Sequence, residues 1–158
     1  MASLTLAGLC SIPGAAGPDR LTQLQSTYDH ETDPVHKAKD LAKLEPEQFA
    51  SVRQQLGDGN DVEGLAELEH FRDEVAATLT ALHPLAAKAE SHPDGFKELQ
   101  IALREALRQM DAILVDLPLD KRPWFRAVRY DLQNDQNTLL DILFPRRLAK
   151  PPGKDPSS

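Results

Sequence analysis

DGFKELQIALREALRQMDAILVDL, residues 94–117, carries the strongest helical pattern in the chain. Phe96, Leu99, Leu103, Leu107, Met110, Leu114 and Leu117 recur at steps of three and four, the spacing that lines up side chains on one face of an α-helix. Ile101, Ala112 and Val115 lie off that stripe, so the helix is apolar on two sides. A helix of this kind is expected to be central, touching both the long helices and the short ones before it.

The segments on either side read in the same period. Leu65, Leu68, Phe71, Val75, Leu79 and Leu82 form a near-heptad stripe over Asp61 to about Ala89, with Pro84 imposing a kink or an early end near His83. Phe125, Val128, Leu132, Leu139 and Leu143 align between Pro123 and Phe144, and Pro145 stops that helix. Toward the N-terminus the pieces are shorter. Asp19 to about His30 carries Leu21, Leu24 and Tyr28 on one stripe. Asp33-Pro34 caps a short helix through Val35, Ala38 and Leu41, and Glu45-Pro46 opens another through Phe49, Val52 and Leu56 that ends at Gly57-Asp58-Gly59-Asn60. No stretch alternates with the period of a strand. The expected fold is all-α: an antiparallel bundle of three long helices, joined by short loops and completed by short N-terminal helices.

The chain has 158 residues, 41% apolar and 27% charged, which suits one globular domain. That domain is expected over 18–145, between a leader-like stretch at 1–17 and a basic, proline-rich, disordered tail at 146–158 with Arg146, Arg147, Lys150 and Lys154. A formal charge of −7 argues against nucleic acid as partner, since phosphate binding depends on clustered Lys and Arg. No apolar run approaches the ~20 residues that cross a bilayer.

Leu4 to Ile12 has the length of a signal-peptide core, and Ala15-Ala16-Gly17 supplies small residues of the type a signal peptidase accepts. The basic flank is missing before Arg20, as if the assigned start lay inside a longer reading frame. Export to the periplasm or beyond is the expectation, with a cytoplasmic chain as the alternative. Leu6-Ala7-Gly8-Leu9-Cys10 departs from a lipidation box, because bulky Leu9 stands where a small residue is needed. Cys10 is the sole cysteine and forms no internal disulfide.

Several stretches hold residue types found at catalytic or metal sites. Glu67-Leu68-Glu69-His70 is one Glu-x-x-His motif, whereas a di-metal bundle needs two that face inward, and His70 points away from the Leu68, Val75 and Leu79 stripe. Asp29-His30-Glu31-Thr32-Asp33-Pro34-Val35-His36 is dense in ligand types, but it spans a helix junction where acids serve as caps. His83 and His92 flank a kink and a loop, and Gly57-Asp58-Gly59-Asn60 lacks the acidic positions of a calcium loop. No nucleophile elbow, phosphate loop or dinucleotide fingerprint is present. No catalytic, cofactor-binding or metal-binding residue is therefore assigned, and no cofactor is expected. Two features point to binding instead. Trp124 and Phe125, in a proline-flanked turn, are expected to close one end of the bundle together, the alternative being an exposed aromatic anchor for a partner. Gln136 falls on the apolar stripe between Leu132 and Leu139 and is expected at a partly wet position with local hydrogen bonds.

Gly57 to Leu68, with the helix before it, resembles one helical hairpin of a tetratricopeptide-type repeat, in a single copy. More broadly, Asp33-Pro34-Val35-His36-Lys37-Ala38-Lys39, Gly95-Phe96-Lys97-Glu98-Leu99 and Leu143-Phe144-Pro145-Arg146-Arg147 resemble uncharacterised exported helical proteins of bacteria. That resemblance, over about 19–147, implies export and a helical fold without an activity. The expectation is a non-enzymatic protein that meets an unidentified protein partner through its surface. The alternative is a binder of a small apolar ligand between the helices, near Gln136 and Met110; a metal-dependent enzyme built on Asp29 to His36 ranks third. Oligomeric state stays open.

Overall fold

Caps and breakers set the helix boundaries in the computed structural model, which describes residues 19–145. The Asp19 carboxylate accepts from the Thr22 amide at 2.8 Å and starts α1, Arg20–His30. Asp33 accepts from the His36 amide at 2.8 Å and starts α2, Pro34–Gly57. Then come α3, Asp61–Leu82, a 3₁₀ turn at His83–Lys88, α4, Phe96–Asp116, and α5, Arg122–Leu143. No strand occurs among the described residues, so the fold is all-α. The leader-like residues 1–17, with Cys10, and the basic tail 146–158 lie outside the described residues.

One expectation about the N-terminal half is corrected. The two short helices expected at Pro34 to Leu41 and Glu45 to Leu56 are a single helix of 24 residues that runs through Pro46. The reason lies in burial: Leu41, Leu44, Glu45, Gln48, Phe49 and Val52 form one uninterrupted buried face. Pro46 is exposed, where water can meet the Ala42 carbonyl that loses its partner. With α3, α4 and α5 at 22, 21 and 22 residues, the bundle has four long helices and one short one.

Side-chain pairs give the directions. Gln48 reaches Glu74 at 2.7 Å and Ser51 reaches Glu67 at 2.8 Å, so α2 and α3 run in opposite directions. Arg129 meets Asp111 at 2.5 Å and Arg122 meets the Leu117 carbonyl at 2.9 Å, so α4 and α5 do too. Lys121 pairs with Asp61 and Arg72 with Asp131, which sets α3 and α5 in the same direction. Each of α2, α3, α5 and α4 packs on the next, and α4 closes the ring on α2. The thirteen residues between α3 and α4, 3₁₀ turn included, carry the chain across the bundle end. The short α1 lies along α2, tied by Arg20 to Glu47 at 2.9 Å and by Lys37 to the Tyr28 carbonyl at 3.0 Å.

Inside the ring, Phe49 and Phe71 meet edge to face with centroids 5.4 Å apart, and Leu68, Phe96, Leu103, Met110, Phe125 and Leu132 fill the space around them. The main stripe of α4 is buried as expected. Its second apolar side is not: Ile101 and Val115 are 48% and 74% exposed, and Ala112 is exposed as well. The ring leaves α4 one solvent face, and these residues fall on it.

Candidate functional site

Four of the eight large apolar side chains exposed among the described residues, Val62, Val115, Leu119 and Trp124, lie at the end of the bundle where α3 begins and α4 gives way to α5. Pro118 ends α4, and Pro123 stands in the first turn of α5, where its fixed φ suits a helix start. Trp124 and Phe125 are then about 100° apart around α5, so one of them alone can face the core. Phe125 takes that place at 2% exposure, and Trp124 is left 67% exposed. The expectation that both aromatics close the bundle end holds for Phe125 and is corrected for Trp124.

Val62, in the first turn of α3, is 77% exposed, and it lines a hollow of about 340 Å³ with Leu65, Trp124 and Phe125. Asp61 and Lys121 pair at its rim. The same two residues border a second hollow of about 610 Å³, floored by Leu56, Ala112, Ile113 and Leu117 and rimmed by Arg53 and Arg108. A hydrogen bond and the charge of Arg108 hold the exposed Glu105 carboxyl below its usual value. Leu119 and Val115, 75% and 74% exposed, belong to the same end of the molecule. Chemically this end offers apolar hollows with charged rims, a combination able to hold a docked side chain or small molecule.

In the Asp29 to His36 segment, Asp33 caps α2, the Glu31 carboxylate accepts from the amides of Thr32 and Asp33, and His30 Nδ1 donates to the Ser26 carbonyl at 2.7 Å. Among the described residues no three His, Cys, Asp or Glu side chains stand together as a metal site requires. His70 is exposed and meets Glu74 at 3.1 Å, while Glu67 turns to Ser51. His83 and His92 are exposed. Gln136 is half-buried and accepts from Gln133 at 3.0 Å, as expected of a partly wet position, and it lines neither of these hollows. Met110 is fully buried. No helix among the described residues is long and apolar enough to cross a membrane.

Sequence reasoning missed Val62 and the paired hollows, although Val62 sits off the Leu65 and Leu68 stripe, which is a signal of exposure. It also missed the six buried polar side chains of the described residues, Asp40, Glu45, Gln48, Glu74, Thr78 and Gln109. Comparison with protein-family models, with curated proteins and with solved structures finds no match to the chain.

Proposed function

We propose that this chain is a non-enzymatic, exported helical protein that works as a protein-interaction module, presenting one end of its helical bundle to its partner. The observation that supports this reading is Trp124: 67% exposed, over an apolar hollow, with Val62 beside it and Leu119 at the same end. Aromatic anchors in hollows dominate binding energy at interfaces, and contiguous exposed apolar surface marks such sites. Export rests on the Leu4 to Ile12 run and on the resemblance to exported helical proteins of bacteria.

The test is cross-linking in the native host with a photoreactive residue at position 124, compared with the same residue at Ser91, which is exposed between α3 and α4 at the opposite end of the bundle. One adduct of defined mass from position 124 and none from 91 supports the reading. Equal adducts from both, or none from 124, overturn it. Mass spectrometry of the mature protein tests export separately. An N-terminus near Gly17 or Pro18 in the exported fraction supports it, and an intact Met1 in the cytoplasm overturns it.

The 610 Å³ hollow favours a second reading, a binder of a small apolar ligand. Saturable dodecanol binding that Ala112→Trp removes by filling the hollow would support it over the first.

A further inference from the structure

A cleft of about 450 Å³ opens between α1, α2 and the middle of α3, lined by Gln25, Asp29, His30, Gln48, Glu67 and His70 among others. Beneath it lies Glu74, 5% exposed. Its carboxylate accepts from Gln25 Nε2 at 2.5 Å and Gln48 Nε2 at 2.7 Å, and His70 Nε2 lies 3.1 Å away.

The side-chain amide hydrogens of this cleft are already used. Gln25 donates to Glu74 and, at 3.0 Å, to Asp29; Gln48 donates to Glu74 and, at 3.3 Å, to the Gln25 carbonyl oxygen. Each amide has two N–H donors, so neither has one to spare. These bonds also fix which way the Gln48 amide points, since exchanging its oxygen and nitrogen would set an acceptor against the Glu74 carboxylate. What remains is acceptors. Gln48 is 2% exposed, and its Oε1 is buried with no hydrogen-bond partner. Glu67 spends Oε2 on the Ser51 hydroxyl and keeps Oε1; Asp29 spends Oδ1 on Gln25 and keeps Oδ2. Burial pushes the Glu67 carboxyl above its usual value, against the opposing pull of Ser51 and His70, as expected of a carboxylate short of donors. No Lys or Arg is among the residues that line the cleft.

A buried acceptor without a donor is rare in folded proteins and costs free energy, so a cleft built this way suits a ligand that brings donors and positive charge. A metal ion fits poorly, because no three ligating side chains stand together there. A guanidinium has a flat fork of five donors, whereas an ammonium has three donors around one compact charge, matched to three leftover oxygens. We infer that the cleft between α1, α2 and α3 binds a small organic cation through a primary ammonium group, which donates to Gln48 Oε1 and faces the carboxylates of Glu67 and Asp29. The ammonium belongs either to a free amine or to a lysine side chain of another polypeptide.

Calorimetric titration of the full chain at low salt tests this, with putrescine for the first source, Nα-acetyl-lysine methylamide for the second, and tetramethylammonium as a cation without N–H donors. Expected is one-to-one binding of putrescine or the lysine analogue, the tighter of the two naming the source, with tetramethylammonium weaker by about tenfold or more. Glu67→Gln, at a half-buried position, and Asp29→Asn, at an exposed one, should each weaken binding by about tenfold while circular dichroism stays unchanged. Absence of binding by both amines, equal binding of tetramethylammonium, indifference to both variants, or tighter binding of Zn²⁺ that His70→Ala abolishes would each overturn the inference.

Discussion

Gln109 on α4 donates its side-chain amide to the carboxylate of Glu45 on α2 at 2.6 Å, and its carbonyl oxygen accepts from the guanidinium of Arg53. A neutral amide thus stands between an exposed cation and a carboxylate that is 2% exposed. Burial pushes the Glu45 carboxyl up to about 7, and the charge of Glu105 adds to that, against the Gln109 hydrogen bond and the charges of Arg53 and Arg108. One hydrogen bond from an amide does not repay the desolvation of a carboxylate. Near neutral pH, Glu45 is therefore close to half protonated.

This gives stability a pH dependence of definite sign. Folded Glu45 holds its proton up to about pH 7, whereas an unfolded chain releases it near its ordinary value of 4.5. Its contribution is fully present below that ordinary value and is lost as pH rises through 7. A shift of this size corresponds to roughly 3 kcal/mol at most. Asp135 and Glu67, also raised by burial, act in the same sense, so a variant is needed to separate Glu45. Urea unfolding at about pH 5 and about pH 8 should show the native chain more stable at the lower value, with Glu45→Gln losing most of the difference. An unchanged difference in Glu45→Gln would contradict the assignment.

The Tyr28 hydroxyl joins α1 to α3: it donates to the Glu74 carbonyl at 3.0 Å and lies 2.9 Å from Thr78 Oγ1. Burial and the nearby charges of Glu74 and Asp29 push it up to about 12, against the Thr78 hydrogen bond, so it stays a donor throughout the physiological range. Lys37 Nζ sits 4.2 Å from the ring centroid and covers it. Tyr28→Phe keeps the ring packing and removes the hydroxyl, so it should cost about 1–2 kcal/mol in urea unfolding. Tyr28→Ala should cost about 3–5 kcal/mol, since the core loses the ring as well.

Pro46 is the local conflict in α2. It gives up one helical hydrogen bond and crowds the carbonyl of Ala42, while its ring faces solvent and buries nothing. Pro46→Ala restores the bond without touching the core and should raise stability by about 1 kcal/mol or more, part of the helix gain being offset by the freer unfolded chain. A thermal melt reads this directly, and a lower midpoint would mean that the proline sets a bend the α2 to α4 contact requires.

The helix ends were legible because they are written locally. Asp19, Asp33, the Gly57 to Asn60 turn, the stop before His83 and Pro145 each act within a few residues. Continuity through Pro46 was not, because it follows from contacts with α3 and α4 that outweigh the cost of one proline. Periodicity finds an apolar stripe without saying whether another helix covers it, and so the second side of α4 and Trp124 were expected inside. The polar pairs leave a fainter trace. Glu45 and Gln48 stand on a stripe with Leu44 and Phe49, and Gln109 beside Met110, which hints at burial. Their partners lie 26 and 64 residues away, a distance over which one sequence carries no register.

Two glycines separate backbone strain from close approach. Gly59 and Gly95 both have positive φ, 82° and 83°, where a side chain is disfavoured. A Cβ on Gly59 would meet nothing within 4 Å, whereas one on Gly95 would lie 3.0 Å from Leu82 Cδ2 and 3.1 Å from the Val35 Cα. Leu82 ends α3 and Val35 opens α2, so the start of α4, fixed by the 2.6 Å bond from the Gly95 amide to Glu98, is wedged between them. Gly59→Ala should cost about 1–2 kcal/mol, the conformational term alone. Gly95→Ala carries the same term and must also push Val35 backbone aside, so it should cost clearly more, on the order of 3 kcal/mol. Urea unfolding of the two variants side by side measures the gap, and equal losses would show that α4 has room to shift away from α2.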